Sequence, residues 1–244
     1  MSNISGKTIE YSYDSARLVG YFCAESTPAS RPGVVLVHDA YGLGDHMKRT
    51  AERVAELGYA VLAADVWGDG AQLHSEAEIG PMIGHFADDR KTWMGRLKQA
   101  HATLAAQAGV DSTRIAFTGY CFGGTSVLEY LRNFGSEIKG VASFHGGLDQ
   151  VGKDWSKTSA GGKALILTGY EDPIAPQSTL LELETSLTNA GVDWEINIYS
   201  HTKHAFTRPD AGKANNPQMV AYNPQSDRRS WAAMRRFLEE IFSA

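Results

Sequence analysis

The sequence predicts an α/β fold with a doubly wound, mostly parallel sheet of about eight strands and an antiparallel N-terminal edge. Short apolar, β-branched runs alternate with amphipathic stretches along the 244 residues. From Gly33 onward these runs show no period-two alternation, which is typical of parallel strands covered on both faces. Two strand-like runs precede the first helical stretch, and this order favours the antiparallel edge.

The predicted strands are short apolar runs bounded by turn or helix signals. They cover residues 7–13, 18–24, 33–37, 59–64, 114–118, 140–144, 164–168 and 195–199. Between them, Asp45 is predicted to cap a first helix that ends before Gly58. Trp93 and Leu97 repeat at helical spacing in a second helix that ends before Gly109. A last helix begins near residue 226, and its predicted buried face consists of Trp231, Met234, Leu238 and Ile241.

Composition excludes several classes of protein. Hydrophobic residues make up 43% of the chain and the formal net charge is −5, which argues against a disordered chain and against a nucleic-acid binder. No apolar run approaches the roughly 18 residues that a membrane span needs. No repeat or linker divides the chain, so we expect one domain over residues 1–244.

Cysteine usage and the first residues bear on the compartment. Cys23 and Cys121 are the only two cysteines, too few for a disulfide framework or a zinc cluster. The opening residues lack the basic start and apolar core of a secretory signal. The expected localisation is therefore cytoplasmic.

The segment 119–124 (GYCFGG) carries a candidate nucleophile. It follows a predicted strand and opens an apolar helical run, which is the layout of the G-x-S-x-G elbow of α/β-hydrolases, with Cys121 in place of serine. A tight turn of this kind requires glycine where a side chain would collide with backbone. A helix beginning at Phe122 would favour the thiolate and supply N–H groups to an oxyanion. The competing interpretation is that Cys121 is a small core residue.

A thiol nucleophile needs a base, and the base needs an orienting acid. In α/β-hydrolases the chain order is nucleophile, acid, histidine, each after a later strand. Glu171 and Asp172 follow the strand at 164–168, and His201 and His204 follow the strand at 195–199. The order is satisfied, with two candidates for each partner.

These motifs resemble the dienelactone hydrolase family of the α/β-hydrolase superfamily over nearly the whole chain. The resemblance rests on GYCFGG at 119–124, Gly169-x-x-Asp172-x-x-x-Pro176, HAF at 204–206, and the tail segments AY at 221–222 and DRRSW at 227–231. It implies an α/β-hydrolase fold and a triad of Cys121 as nucleophile, His204 as base and Asp172 as orienting acid. No metal or organic cofactor is implied.

The resemblance also implies the residues around the reacting carbonyl. The backbone N–H groups of Ala40 and Phe122 would form the oxyanion hole. Asp39 stands where the family has a glutamate that interacts with the resting cysteine, and Asp is one methylene shorter. Arg208 matches an arginine that holds the substrate carboxylate. The second family arginine has no clear match, and Arg90 is not counted as one.

Other candidate motifs favour structural roles. Gly42 and Gly44 begin a dinucleotide-binding pattern, but its third glycine is absent because Met47 stands there. The histidines lack metal-ligand spacing. His145 could line the site or be structural, and Asp65 precedes the nucleophile, so we expect it in a loop or cap. Residues 67–89 and 207–225 are predicted loops, either over the site mouth or plain surface.

Three functions remain in view. The leading hypothesis is a cysteine-dependent hydrolase of small carboxylic esters or lactones, promiscuous toward activated esters including phosphotriesters. The second is a non-catalytic binding protein for a small acid, and the third is a thiol redox protein that uses Cys121. The expected partner is a small-molecule ester or lactone, with no nucleic acid and no membrane, and the expected state is a monomer or weak dimer.

Overall fold

A computed structural model describes residues 4–26, 30–158, 161–213 and 216–243. Its chain forms two compact units, Met1–Phe117 and Thr118–Ala244. Each unit alternates strands and helices, as the hydrophobic pattern predicts. The first and last residues of the predicted domain lie outside the described residues.

The first unit holds the N-terminal hairpin and the first parallel strands. Its elements are β1 (Ile4–Tyr13), β2 (Ala16–Glu25), β3 (Arg31–Val37), α1 (Asp45–Ala55), β4 (Ala60–Ala64), α2 (Glu76–Asp88), α3 (Arg90–Ala105) and most of β5 (Val110–Tyr120). β1 pairs antiparallel with β2, and β2 pairs antiparallel with β4. β3 and β4 pair in parallel, from Gly33 opposite Ala60 to Val37 opposite Ala64.

The second unit begins inside β5 and holds the rest of the parallel strands. Its elements are α4 (Phe122–Phe134), β6 (Val141–Phe144), β7 (Lys163–Gly169), α5 (Gln177–Asn189), β8 (Asp193–Tyr199) and α6 (Pro224–Ser243). β6 pairs in parallel with β7, and β7 pairs in parallel with β8. All residues of β6 are buried, which explains the absence of alternation in its sequence.

The strands form one eight-stranded sheet in the order β1-β2-β4-β3-β5-β6-β7-β8. The predicted fold class is therefore confirmed, including the antiparallel N-terminal edge. All eight predicted strands exist, although β5 begins at Val110, four residues earlier than the sequence pattern indicates. Among the described residues, no helix combines the length and the apolar character that crossing a bilayer requires.

Three details of the helices differ from prediction. The N-cap of α1 is Gly44, and Asp45 is the first helical residue. There its carboxylate interacts favourably with the positive end of the helix dipole. The segment 67–89 is not a plain loop, because α2 occupies most of its second half. On α6, Met234, Leu238 and Ile241 are buried as predicted, but Trp231 is only half-buried.

Candidate active site

A strained turn joins β5 to α4 and presents Cys121. Its backbone has φ 54° and ψ −116°, a left-handed region that a residue with a side chain rarely adopts. The Cys121 N–H donates to the Phe144 carbonyl at 2.9 Å, and the Cys121 carbonyl accepts from the Thr125 N–H at 3.2 Å. The turn is thus held on both sides, and α4 begins at Phe122 as predicted.

Two glycines of the segment 119–124 are required by close contact with backbone. A Cβ on Gly119 would overlap the Gly123 carbonyl. A Cβ on Gly124 would lie 2.8 Å from the Phe144 carbonyl oxygen and 2.9 Å from the Cα of Gly146. Since backbone cannot yield as a flexible side chain can, the steric reason for these glycines is confirmed.

Cys121, His204 and Asp172 lie in one hydrogen-bonded row. His204 Nε2 is 3.0 Å from Cys121 Sγ, and His204 Nδ1 is 2.8 Å from Asp172 Oδ2. A carboxylate can only accept, so Nδ1 carries a proton and Nε2 faces the sulfur. Asp172 Oδ1 accepts from the Ile174 N–H at 2.9 Å, which fixes the orientation of the carboxylate.

The electrostatics of this row favour a protonated imidazole. Burial of His204 lowers its pKa, but the adjoining Cys121 sulfur and the Asp172 carboxylate more than offset burial and raise the pKa to about 10. His204 and Asp172 are each only 2% exposed, so water screens these charges weakly. A proton held on Nε2 points at Cys121 Sγ.

The rival candidates lie elsewhere. His201 and Glu171 form an ion pair with 3.4 Å between Nδ1 and Oε1, and their side chains are 90% and 44% exposed. Within the part of the chain that the structure describes, the hydrogen-bond partner of the Cys121 thiol is His204 rather than either of these two residues. Of the two acids and two histidines that the sequence offers, the structure brings Asp172 and His204 to the cysteine.

The loops after β7 and β8 are joined by their backbones. A Cβ on Gly169 would overlap the Thr202 carbonyl, so glycine permits this close approach. The same Thr202 carbonyl accepts from the Glu171 N–H at 3.0 Å. This contact fixes the separation between the Asp172 loop and the His204 loop.

The segment before α6 supports the backbone of His204. The His204 N–H donates to the Met219 carbonyl, and the His204 carbonyl accepts from the Ala221 N–H, both at 3.1 Å. Asn223 Nδ2 donates to Thr202 Oγ1 and to the His201 carbonyl, each at 3.1 Å. The sequence predicts a loop over residues 207–225, and nothing in its composition indicates that this loop pairs with residue 204.

Asp39 and Ala40 lie in the first unit, directly after β3, and both are buried. His38 holds this turn: its Nε2 accepts from the Val66 N–H at 3.1 Å, and its Nδ1 donates to the Asp39 carbonyl at 2.6 Å. Burial lowers the pKa of His38, which keeps the ring neutral, as these two bonds require. Asp39 Oδ1 accepts from the Tyr41 N–H at 2.9 Å. The roles of Asp39 and Ala40 toward Cys121 stay predictions.

Arg208 is engaged by a carboxylate of the chain itself. Its Nε lies 2.6 Å and its Nη2 3.3 Å from the two oxygens of Asp210. Arg90 lies on α3, with its guanidinium carbon 5.8 Å from the Trp93 ring centroid. A substrate carboxylate would have to compete with Asp210 for Arg208.

Two other candidates have structural partners. Asp65 accepts from the N–H groups of Val19, Gly68 and Gly70 at 2.8–2.9 Å, which confirms its loop role. His145 is buried and contacts both the Cys121 turn and the His204 loop. Within the described ranges, no group of three or more His, Cys, Asp or Glu side chains could hold a metal ion.

Comparison with known proteins identifies the relatives of this chain. The model of the dienelactone hydrolase family matches residues 19–242. A solved structure named m3DLH is 32% identical with a TM-score of 0.89 and covers 98% of this chain and 99% of its own. The dienelactone hydrolase-like promiscuous phosphotriesterase P91 from metagenomic libraries is also 32% identical, with a TM-score of 0.88 and the same coverage. A Synechocystis protein provisionally named carboxymethylenebutenolidase is 24% identical over 91% of this chain and 92% of its own.

Proposed function

The chain belongs to the dienelactone hydrolase family, and we propose that it hydrolyses small carboxylic esters or lactones through a covalent intermediate on Cys121. That it is an ester hydrolase of this type follows from the family and from relatives that cover 91% and 98% of its length. The identity of the nucleophile, the triad and the acyl-enzyme are the proposal.

One observation carries the proposal. A single buried imidazole lies 3.0 Å from a thiol sulfur and 2.8 Å from a carboxylate, which is the spacing that a nucleophile, a base and an orienter need. A purely structural cysteine requires neither a base nor an acid behind the base. This arrangement therefore supports the hydrolase over the binding protein.

The first half-reaction acylates the enzyme. Cys121 Sγ attacks the carbonyl carbon, a carbon–sulfur bond forms, and the carbonyl oxygen becomes an oxyanion. The tetrahedral intermediate then collapses, its carbon–oxygen bond breaks, and the alkoxide takes the proton that His204 holds on Nε2. In a lactone this step opens the ring, and the alcohol stays attached to the acyl group.

The second half-reaction releases the acid. His204, now neutral at Nε2, removes a proton from water as the water oxygen attacks the thioester carbon. The carbon–sulfur bond breaks, and the thiolate and imidazolium are restored. Asp172 accepts the Nδ1–H throughout, so Nε2 remains the atom that exchanges the proton.

The oxyanion requires hydrogen-bond donors fixed before the reaction. The family resemblance implies the Phe122 N–H, in the first turn of α4, as one donor, and the positive end of the helix dipole at that turn favours an oxyanion there. The Ala40 N–H as second donor, and Asp39 as partner of the resting thiol, stay predictions from the family resemblance.

The substrate class extends to other activated esters. A relative of the same length is named as a promiscuous phosphotriesterase, and this supports a test of phosphotriesters on this chain. The pairing of Arg208 with Asp210 favours neutral substrates over those with a carboxylate. We also propose that the protein is a monomer or a weak dimer.

Turnover of p-nitrophenyl acetate by wild type, Cys121→Ala and Cys23→Ala tests the proposal. We expect multiple turnovers by wild type and a loss of about three orders of magnitude or more in Cys121→Ala, because the other triad members act only through the nucleophile. Cys23→Ala removes the other thiol, which is fully buried in β2, and should retain the wild-type rate.

Three outcomes would contradict the proposal. Equal rates in wild type and Cys121→Ala would make Cys121 structural. Stoichiometric labelling of Cys121 without turnover on acetate, lactone and phosphotriester probes would favour the binding protein. Loss of the thiol to mild peroxide together with absent esterase activity would favour the redox function.

A further inference from the structure

A second buried histidine, His145, lies between the Cys121 turn and the His204 loop. It directly follows β6, is 2% exposed, and has φ 39°, a backbone conformation that is strained for a residue with a side chain. Its own N–H donates to the Leu167 carbonyl of β7 at 2.8 Å, which holds it in this conformation. Glycine would adopt this backbone conformation without strain. The interactions of the imidazole must therefore offset the strain that a side chain causes at this position.

The two ring nitrogens of His145 have different partners. Nδ1 accepts from the Cys121 N–H at 3.2 Å, and Nε2 lies 2.8 Å from Thr207 Oγ1. A backbone N–H can only donate, so Nδ1 is unprotonated and Nε2 carries the ring proton that it donates to Thr207. The Cys121 N–H also donates to the Phe144 carbonyl at 2.9 Å, so the two acceptors share it.

The ring also packs against the proposed base. The centroids of His145 and His204 are 5.1 Å apart with the planes at 70°, an edge-on contact. Phe206 makes a second edge-on contact with His145 at 5.1 Å and 79°. Thr207 belongs to the same loop as His204. The His145 imidazole therefore contacts both the backbone N–H of Cys121 and the side chain of His204.

We propose that His145 is a positioning residue, which together with Thr207 holds the Cys121 turn and the His204 ring at their reacting distance. The role rests on the proposed function and deepens it. Thr207 keeps the proton of His145 on Nε2, and this tautomer leaves Nδ1 able to accept from the Cys121 N–H. Without the Thr207 hydroxyl, the ring proton of His145 can move to Nδ1. Nδ1–H and the Cys121 N–H would then be two donors facing each other, and their hydrogen bond would be lost.

The matched pair Thr207→Val and Thr207→Ser tests the tautomer. Valine keeps the shape and removes the acceptor, so we expect kcat on p-nitrophenyl acetate to fall about tenfold with KM changed less than about twofold, since misplacement of the reacting groups acts on the chemical step. Serine keeps the hydroxyl, so Thr207→Ser should keep the wild-type kcat. Alkylation of Cys121 by iodoacetamide at neutral pH, with Cys121→Ala as the blank, should slow in the valine variant alone.

His145→Phe tests the ring itself. Phenylalanine keeps an aromatic ring and loses both hydrogen bonds, so we expect kcat to fall by up to about a hundredfold. Because both side chains act through one chain of hydrogen bonds, the double variant His145→Phe, Thr207→Val should be no slower than His145→Phe. His74→Phe, at an exposed histidine of the first unit, is the matched control and should leave both rates unchanged.

The proposal is overturned if Thr207→Val keeps the wild-type kcat and alkylation rate. It is also overturned if KM rises while kcat is unchanged, which would make His145 a substrate contact, or if the two single losses multiply in the double variant. Where His145→Phe does not fold, the Thr207 pair decides. Where wild type shows no turnover, the proposed function fails, and the alkylation rates still decide the role of His145.

Discussion

At the scale of the residue, the orientation of His204 depends on one oxygen of Asp172. Asp172→Asn keeps the size of the side chain but presents an amide that can donate to Nδ1, which would favour the wrong tautomer of the histidine. We expect kcat for ester hydrolysis to fall by roughly 10²- to 10⁴-fold, in line with the effect of this substitution in another triad. Steady-state kinetics at saturating substrate measures it.

Glu171→Gln is the control for that prediction. Glu171 is the neighbouring acid, but its partner is the exposed His201, 3.4 Å away. The wild-type kcat should therefore persist in Glu171→Gln. A large loss there, with Asp172→Asn active, would exchange the assignments of the two acids.

The raised pKa of His204 predicts how stability varies with pH. Its pKa is about 10 in the folded protein against 6.5 for an unperturbed histidine, so the folded state holds the proton more tightly. The stabilisation is complete below about pH 6.5 and is lost as the pH rises toward 10. The Tm of wild type minus that of His204→Gln should therefore decrease between these pH values. A wild-type advantage over His204→Gln that grows with pH would contradict the assigned charge state.

The residues of the proposed triad were predictable because chemistry and chain order limited the choice. The sequence left two acids and two histidines open, and the resemblance selected Asp172 and His204, which the structure brings to Cys121. His145 remained ambiguous, since its importance depends on Thr207 and on a strained backbone, and neither is visible in local sequence. The pairing of Arg208 with Asp210 was missed although the two lie close in sequence, because a side-chain conformation decides it.

At the scale of the element, substitution of glycine by alanine should have opposite effects on stability in the β5–α4 turn and in α2. A Cβ on Gly119 would overlap backbone, whereas one on Gly84 of α2 would meet no atom within 4 Å. We expect Gly119→Ala to destabilise the protein by roughly 2–3 kcal/mol, as an overpacked site does. Gly84→Ala should stabilise it by roughly 0.5–1 kcal/mol through helix propensity. Urea unfolding of both variants measures the difference, and equal effects would refute the steric reading of the turn.

The prediction of elements succeeded where burial set the pattern and failed where local signals conflicted. The central strands β3, β4 and β6 are predictable because their residues are almost all buried and their sequences are short apolar runs. Their short length and the turn signals that flank them favour strand over helix. Helix α2 was missed since Gly80, Pro81 and Gly84 all disfavour helix. The start of α2 could nevertheless be predicted from the sequence, because Ser75 and Glu78 have the spacing of a capping box. In the structure Glu78 accepts from the Ser75 N–H at 3.0 Å.

At the scale of the whole molecule, the chain forms two compact units, and the single domain that the sequence predicts stays a prediction. The boundary falls between Phe117 and Thr118, inside strand β5. Melting one unit alone would therefore break a continuous strand, so we expect a single cooperative unfolding transition. Differential scanning calorimetry with equal calorimetric and van't Hoff enthalpies would agree with one domain, and two resolved transitions would contradict it.

Three residues with side chains occupy left-handed backbone conformations near the proposed reacting groups: Cys121, His145 and Ala205, with φ of 54°, 39° and 55°. Each such residue costs about 1–3 kcal/mol relative to a relaxed backbone. Glycine at any of them would relieve the strain, and at Cys121 it would also delete the thiol. With Cys121 as the proposed nucleophile, the substitution that relieves the backbone strain at residue 121 would also abolish hydrolysis, so heat resistance and activity oppose each other at this position.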